Sequence, residues 1–378
     1  MNLPNEIVVT TIHEPAWLPG YLDNLRRYGH DATTRISIIA DRKTPASVFA
    51  AAVAARQQGY HLWCPTLDEQ ERFLNGLGAP ADFIPWDSDN RRNLGFLAAQ
   101  QRGAGLLISI DDDNYCPAEE DFVGGHQALF RAPDGSEQLA GGAAWFNLCS
   151  RLEHSSATPI FPRGFPYAAR TKAGATLAAL SAQTPGRQAL NAGLWLDDPD
   201  VDAVTRLSLA PRAREVRAGA VLLASETWSP INTQNTAVIA EAIPAWYYPR
   251  MGDAVQGLRI DRYGDILSGY LVQKCIKHLG QGLRIGSPVA VHRRSPHNLF
   301  KDLYCELAGM VLVEDLLPWL QELRISGSSY SEAYAALADA LAEEAQHFRG
   351  FIWDEGGREF LVKTAQRMQT WLRLVALV

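Results

Sequence analysis

The stretch Leu106-Leu107-Ile108-Ser109-Ile110-Asp111-Asp112-Asp113 decides the fold. An uncharged apolar run followed by the turn residues Asn114 and Pro117 reads as a short buried strand. Such a strand delivers three carboxylates to one edge of a sheet. Like charges in a row repel and cost stability unless a cation neutralises them. Carboxylate oxygens are hard ligands that suit Mg²⁺ or Mn²⁺, and an ion held by one or two of them completes its shell with water and substrate phosphates. The triplet therefore predicts a divalent ion clamping a diphosphate, with a solvated acidic turn as the alternative.

Outward from the triplet, Ile7 to Ile12 reads as a strand and Tyr21 to Tyr28 as a helix. Arg35 to Ala40 reads as a second strand ending in Asp41, and Ala46 to Gln58 and Asn93 to Arg102 as helices. Strand and helix alternating up to the triplet predict an α/β fold with a parallel sheet. Ligands bind outside the carboxyl ends of such strands, where Asp41 and the triplet fall. Neither a GxGxxG nor a GxxxxGK[ST] motif follows any of these strands, which argues against a standard dinucleotide fold and a P-loop. Periodicity weakens over 150–235. Asp265 to His278 then reads as helix, and Leu283 to Val291 as strand and turn. From Val311 onward the chain reads as helical, which predicts an α/β domain over 1–310 and a helical region over 311–378 packed on it. The final amphipathic segment, Glu359 to Leu377, is expected to pack on its own domain. A dimer contact or a peripheral membrane contact is the alternative.

The net charge of −7 lacks the basic field that nucleic acid requires, so no nucleic-acid partner is expected. Five scattered cysteines with no CxxC pair argue against a zinc site and a disulfide framework. With no leader-like start and no long apolar run, they predict a cytoplasmic protein, or one peripheral at a membrane.

Four further segments carry candidate chemistry. Leu194 to Asp202 holds Asp197, Asp198, Asp200 and Asp202, and reads as a charged loop ordered by its own turns. Asp265, at a helix start, is either a cap or an acid facing a cleft. His292 ends an apolar segment and is a candidate third metal ligand beside Asp111 and Asp113, while Arg293 and Arg294 are candidates to reach phosphate. Arg163-Gly164-Phe165-Pro166-Tyr167-Ala168-Ala169-Arg170 interleaves aromatics and arginines, either as a sugar-stacking surface or as a packed loop.

Taken together, the segments resemble the reversibly glycosylated polypeptide family, which includes the plant UDP-arabinopyranose mutases. The resemblance runs from about residue 6 to about residue 375. The family's strand ending in three aspartates looks like Ser109 to Asp113. Its Arg-Gly-Tyr-Pro-Phe-Ser-Leu-Arg segment looks like Arg163 to Arg170. Its Gly-Leu-Trp-Leu-Asn-x-Pro-Asp-Tyr-Asp-Ala segment is similar to Gly193 to Ala203. Its Arg-Tyr-Asp-Asp-Met-Trp-Ala-Gly-Trp segment is similar to Arg262 to Tyr270, and its Trp-His-Ser-Lys falls at Val291 to Arg294. Here Gly264 replaces the first aspartate of the family's pair, Leu267 replaces a tryptophan, and Arg293-Arg294 replaces Ser-Lys.

The resemblance implies a GT-A-like, Rossmann-type nucleotide-sugar-binding sheet with helices on both faces and a helical C-terminal extension. It implies a metal-dependent glycosyltransferase-type enzyme using a nucleoside-diphosphate sugar, with UDP as the expected nucleotide and Mn²⁺ or Mg²⁺ as cofactor. Carried over by position, Asp111, Asp113 and His292 hold the metal. Asp265 faces the sugar, Arg163 falls at the family's reversible glycosylation site, and Arg170 lies nearby. Thr11 and Asp41 approach the base or ribose, Arg92, Arg293 and Arg294 share the charge of the diphosphate, and Asp112 is counted with them among the residues binding the nucleotide sugar. A UDP-sugar mutase, a self-glycosylating protein and a non-catalytic nucleotide-sugar binder are the alternatives. The acceptor is open among a glycan, a lipid-linked and a small molecule, and a homo-oligomer is left open too.

Overall fold

The protein is described by a computed structural model covering residues 4–378. Its strands are β1 (Asn5–Thr11), β2 (Thr34–Ala40), β3 (His61–Trp63), β4 (Leu106–Asp111), β5 (Asn114–Tyr115), β6 (Gln138–Gly141), β7 (Leu152–His154), β8 (Thr176–Ala178), β9 (Gln188–Asp197), β10 (Ala213–Val216), β11 (Val221–Leu223), β12 (Asn235–Ile239), the small hairpin β13 (Ala254–Val255) and β14 (Leu258–Arg259), and β15 (Gly282–His292). The helices are α1 (Leu18–Arg27), α2 (Ala46–Gln57), α3 (Leu67–Gly76), α4 (Arg92–Gln101), α5 (Phe122–His126), α6 (Ala203–Leu209), α7 (Gly264–His278), α8 (Leu299–Glu322), α9 (Tyr330–Glu344) and α10 (Arg358–Val375).

One large mixed sheet runs in the order β3-β2-β1-β4-β12-β9-β15-β11-β6-β8. The α/β class expected from the alternation is the class observed. Strands β3, β2, β1 and β4 are mutually parallel. Strand β12 runs antiparallel to both β4 and β9, and β9 is parallel to β15. The carboxyl ends of β1, β2, β4, β9 and β15 therefore meet at one edge. The apolar runs Ile7-Val8-Val9 and Leu106-Leu107-Ile108 are fully buried, as strands covered on both faces must be. Gly95 lets α4 lie against β1, because a Cβ there would run into the Val8 side chain.

Two expectations need correction. The boundary at residue 310 falls inside α8, a continuous helix of 24 residues, so the helical region begins at Leu299. Strand β15 also runs unbroken to His292, absorbing Gly286-Ser287-Pro288 as a register shift instead of a turn. The apolar face of α10 is turned inward: Phe360, Leu361, Met368, Trp371 and Leu374 are buried, and Trp371 Nε1 donates to the Pro244 carbonyl at 3.0 Å. Burial contributes about 1.5–3 kcal/mol per large apolar side chain. That face is held by the chain's own core, so it does not supply the membrane or dimer contact considered for it. No helix among the described residues is long and apolar enough to cross a membrane.

Candidate active site

A cleft of about 340 Å³ opens over the shared strand edge. Strand β1 brings Thr11 to it, the β2 end brings Asp41, and the β4 end brings Asp111, Asp112 and Asp113. Thr11 Oγ1 donates to Asp112 Oδ2 at 2.6 Å. Asp41 accepts from the Arg42 amide at 2.6 Å and the Ser88 amide at 3.3 Å, which ties the β2 end to the loop before α4.

The three carboxylates of the triplet differ in environment. Asp111, half-buried at the cleft, forms an ion pair with the buried Arg92. Burial nevertheless pushes its carboxyl up to about 6, with Asp113 adding to the rise against the pull of Arg92. Burial also raises Asp112, partly offset by the Thr11 hydrogen bond. Asp113 is lowered: burial acts upward, but the hydrogen bond and charge of His292 outweigh it. His292 Nε2 lies 3.2 Å from Asp113 Oδ2 because β5 pairs antiparallel with the end of β15, setting His292 opposite Asn114. His292 Nδ1 donates to the Asp198 carbonyl at 2.6 Å, which fixes the ring and aims Nε2 at Asp113. That is the outer-shell arrangement of a metal-ligating histidine.

The donor set of Asp113 and His292 fits a divalent ion in chemistry and orientation. The expected trio is not preassembled, since Asp111 faces Arg92. Among the described residues no group of three or more His, Cys, Asp or Glu side chains already converges on a metal-holding point. The balance of charge also bears on the ion. Seven carboxylates, Asp41, Asp87, Asp89, Asp111, Asp112, Asp113 and Asp265, line the cleft against the five cations Lys43, Arg91, Arg92, Arg163 and Arg262.

Across the cleft, Arg163 is sandwiched between two acids. Its Nε and one terminal nitrogen meet Asp200 at 3.0 Å each, and its terminal nitrogens meet Asp265 at 3.0 and 2.5 Å. The remaining N–H reaches the Arg262 carbonyl. All five donors of the guanidinium are thus engaged. Burial would lower Arg163, but the two carboxylates hold it well above its ordinary value. Asp265 sits inside the first turn of α7, whose N-cap is Tyr263, so it lines the cleft and does not cap the helix.

Several expected phosphate contacts lie elsewhere. Arg92 lines the cleft, yet its donors are committed to Asp111 and to the Ile110 and Thr233 carbonyls at 3.0 and 3.1 Å. Arg293 lies outside the lining, with its guanidinium 4.7 Å from the Tyr115 ring centre. Arg294 pairs with Asp302 at 2.6 Å. Arg170 is turned away onto Asp202 at 2.5 Å and stacks over Tyr167 at 3.7 Å, the packed-loop alternative. The acids of Asp197 to Asp202 are not a solvated loop either. Asp198, Asp200 and Asp202 are buried and each has an arginine.

The sequence reading missed Asp89, Tyr248 and the cleft role of Arg262. Tyr248 Oη donates to Asp89 Oδ2 at 2.7 Å. Arg262 holds a left-handed φ of 56° while its Nε meets Glu306 at 3.0 Å, a strained conformation of the kind that collects at functional sites. The acid-rich Asp87-Ser88-Asp89 ahead of α4 was a local signal for the first of these; nothing near Tyr248 marked it.

Comparison with known proteins identifies the family. The family model described as "Reversibly glycosylated polypeptide" matches residues 57–378. UDP-arabinopyranose mutase 1 of Oryza sativa subsp. japonica is 30% identical over 304 residues, 78% of this chain and 73% of the relative. Probable UDP-arabinopyranose mutase 2 of Solanum tuberosum is 30% identical over 310 residues, again 78% and 73%. Among solved structures, glucosyl-3-phosphoglycerate synthase from Mycobacterium tuberculosis, in complex with phosphoglyceric acid, aligns with a TM-score of 0.43 and 12% identity over 86% of this chain and 82% of that one. The chain belongs to the reversibly glycosylated polypeptide family.

Proposed function

We propose that this chain is an enzyme acting on a UDP-sugar, of GT-A type, and that its reaction is the interconversion of sugar ring forms and not transfer to an acceptor. The acidic cleft at the carboxyl edge of the sheet carries the proposal, with Asp113 at one wall, backed by the buried His292, and Asp265 held by Arg163 at the other. Family membership favours the mutase outcome over the transferase implied by the fold type.

In this reading Thr11 and Asp41 face the nucleoside. Asp113 and His292 would hold a divalent ion. When bound, such an ion neutralises the diphosphate and stabilises it as a leaving group. Asp265 accepts from a sugar hydroxyl, and the two hydrogen bonds from Arg163 fix the orientation of that carboxylate. Because substrate and product are the same nucleotide sugar in two ring sizes, the site needs room for one ligand and no acceptor path.

The test is incubation of the chain with UDP-arabinopyranose and Mn²⁺, followed by separation of the pyranose and furanose forms. The proposal expects interconversion without net release of UDP. UDP release that depends on an added acceptor would replace the mutase with a transferase. Binding with neither outcome would make the protein a nucleotide-sugar binder.

A further inference from the structure

Gly264 opens α7, and its surroundings show what uses the space beside it. A Cβ at 264 would run into the Tyr248 ring and stand 2.9 Å from the Pro249 carbonyl oxygen. The bare glycine therefore makes the space that the Tyr248 ring fills. Tyr248 is built into that position from every side. Its backbone carbonyl accepts from Asn90 Nδ2 at 2.7 Å and Asn93 Nδ2 at 2.9 Å, and its amide donates to Asn93 Oδ1 at 2.9 Å. The Arg92 guanidinium lies 5.8 Å from its ring centre. The tyrosine is buried, and its one polar atom is spent on Asp89.

Asp89 has the opposite exposure. It opens to the cleft, with one carboxylate oxygen fixed by Tyr248 and the other meeting only the Ser88 hydroxyl at the 3.5 Å limit of a hydrogen bond. The protein around it and the nearby Asp261 and Asp265 raise its pKa. An oriented carboxylate with a free oxygen in a cleft is an acceptor for ligand hydroxyls. The amides of Asn90 and Asn93 fix its partner tyrosine, so the geometry is set before a ligand arrives.

We propose that Asp89, positioned by Tyr248 in the space left by Gly264, is a second sugar-recognising carboxylate beside Asp265 and accepts hydrogen bonds from hydroxyls of the glycosyl group. The inference rests on the UDP-sugar reading above and adds a specificity residue to it. Asp89 touches substrate; Tyr248 and Gly264 are positioning residues. The ribose of the nucleotide carries the same hydroxyl chemistry, so the experiment must separate the two sources.

Calorimetric titrations of UDP and UDP-arabinopyranose, both with Mn²⁺, make that separation for wild type, Asp89→Asn, Tyr248→Phe and Gly264→Ala. The expected result is a loss of about tenfold or more in UDP-arabinopyranose affinity for Asp89→Asn, with UDP affinity within about twofold of wild type. Tyr248→Phe, which removes one oxygen and keeps the ring, should shift the same ratio in the same direction. Gly264→Ala should do likewise by displacing the ring. If it unfolds, Tyr248→Phe carries the test alone. Equal losses for UDP and UDP-arabinopyranose would assign Asp89 to the ribose and overturn the inference. Unchanged selectivity in Asp89→Asn, with wild type binding UDP-arabinopyranose well, would overturn it as well while leaving the UDP-sugar reading intact. Failure of wild type to bind either ligand would overturn the UDP-sugar reading, and this inference with it.

Discussion

Asp111 to Asp113 and Asp197 to Asp202 are both acid-rich stretches that follow apolar strands and reach the same edge of the sheet, but the protein uses them in opposite ways. In the second stretch the acids are matched one by one. Asp198 pairs with Arg206 at 2.5 Å, Asp200 with Arg163 at 3.0 Å, Asp202 with Arg170 at 2.5 Å, and Asp197 with Arg212 at 2.8 Å. Asp202 also caps α6. In the first stretch three carboxylates share one arginine and one histidine. Paired acids form a frame; under-paired acids form a site that an added cation can complete. The frame also touches the site, since Asp200 fixes Arg163, which fixes Asp265.

The largest effect should come from breaking the frame. Asp200→Ala leaves the Arg163 guanidinium buried with one of its two carboxylates, and removal of one member of a buried pair costs about 3–5 kcal/mol. Denaturant unfolding measures it, and a loss below about 1 kcal/mol would erase the distinction between the two stretches. The next largest effect sharpens the contrast at the other wall. Asp265→Asn should lower turnover about 10²-fold while UDP affinity barely moves. Normal turnover would leave Asp265 as another member of the frame.

A smaller effect separates the stretches by pH. The Asp111 carboxyl is raised from 3.8 to about 6. Between those values the folded state binds more protons than the unfolded state, so this group adds stability as pH falls through about 6 toward 4, and that contribution is lost as pH rises. Asp111→Asn should flatten this part of the stability profile relative to wild type. Asp200 is shifted the other way, lowered by the Arg163 charge and hydrogen bonds against the burial that would raise it, so its contribution is lost only in strong acid. Superimposable profiles for wild type and Asp111→Asn between pH 4 and 6 would contradict the assignment of Asp111 to the under-paired group. The smallest expected effect is none at all. Arg163 has every donor engaged and a firmly held proton, so intact-mass spectrometry after incubation with UDP-sugars should find it unmodified. A sugar adduct on Arg163 would mean that the frame opens during turnover.

Local pattern accounts for what was legible in the sequence. Strands β1, β2 and β4 are apolar runs ending in polar residues, and their carboxyl ends carry Thr11, Asp41 and the triplet as expected. Strand β9 escaped because it is buried on both faces and carries Gln188 and Asn191, so it shows neither alternation nor a clean apolar run. Helix α3 was overlooked despite a local signal, the capping box of Thr66 and Glu69. The frame was not legible at all. The partners of Asp200 and Asp202 lie 37 and 32 residues away, and only the folded chain reveals that these acids are spent. The same holds in reverse for Arg170, Arg293 and Arg294, which were assigned to the ligand by motif position and are held by Asp202, Tyr115 and Asp302. His292 beside Asp113 was anticipated from the motif, and the β5–β15 pairing supplies the contact.

The central claim is that the under-paired triplet takes a nucleotide diphosphate through a divalent ion. Calorimetric titration of UDP into the wild-type chain, with Mn²⁺ and then with EDTA, beside the same pair for Asp113→Ala, tests it most directly. The account predicts UDP binding that depends on Mn²⁺ in wild type and is lost in Asp113→Ala. UDP binding of equal strength in EDTA, unchanged by Asp113→Ala, would contradict it.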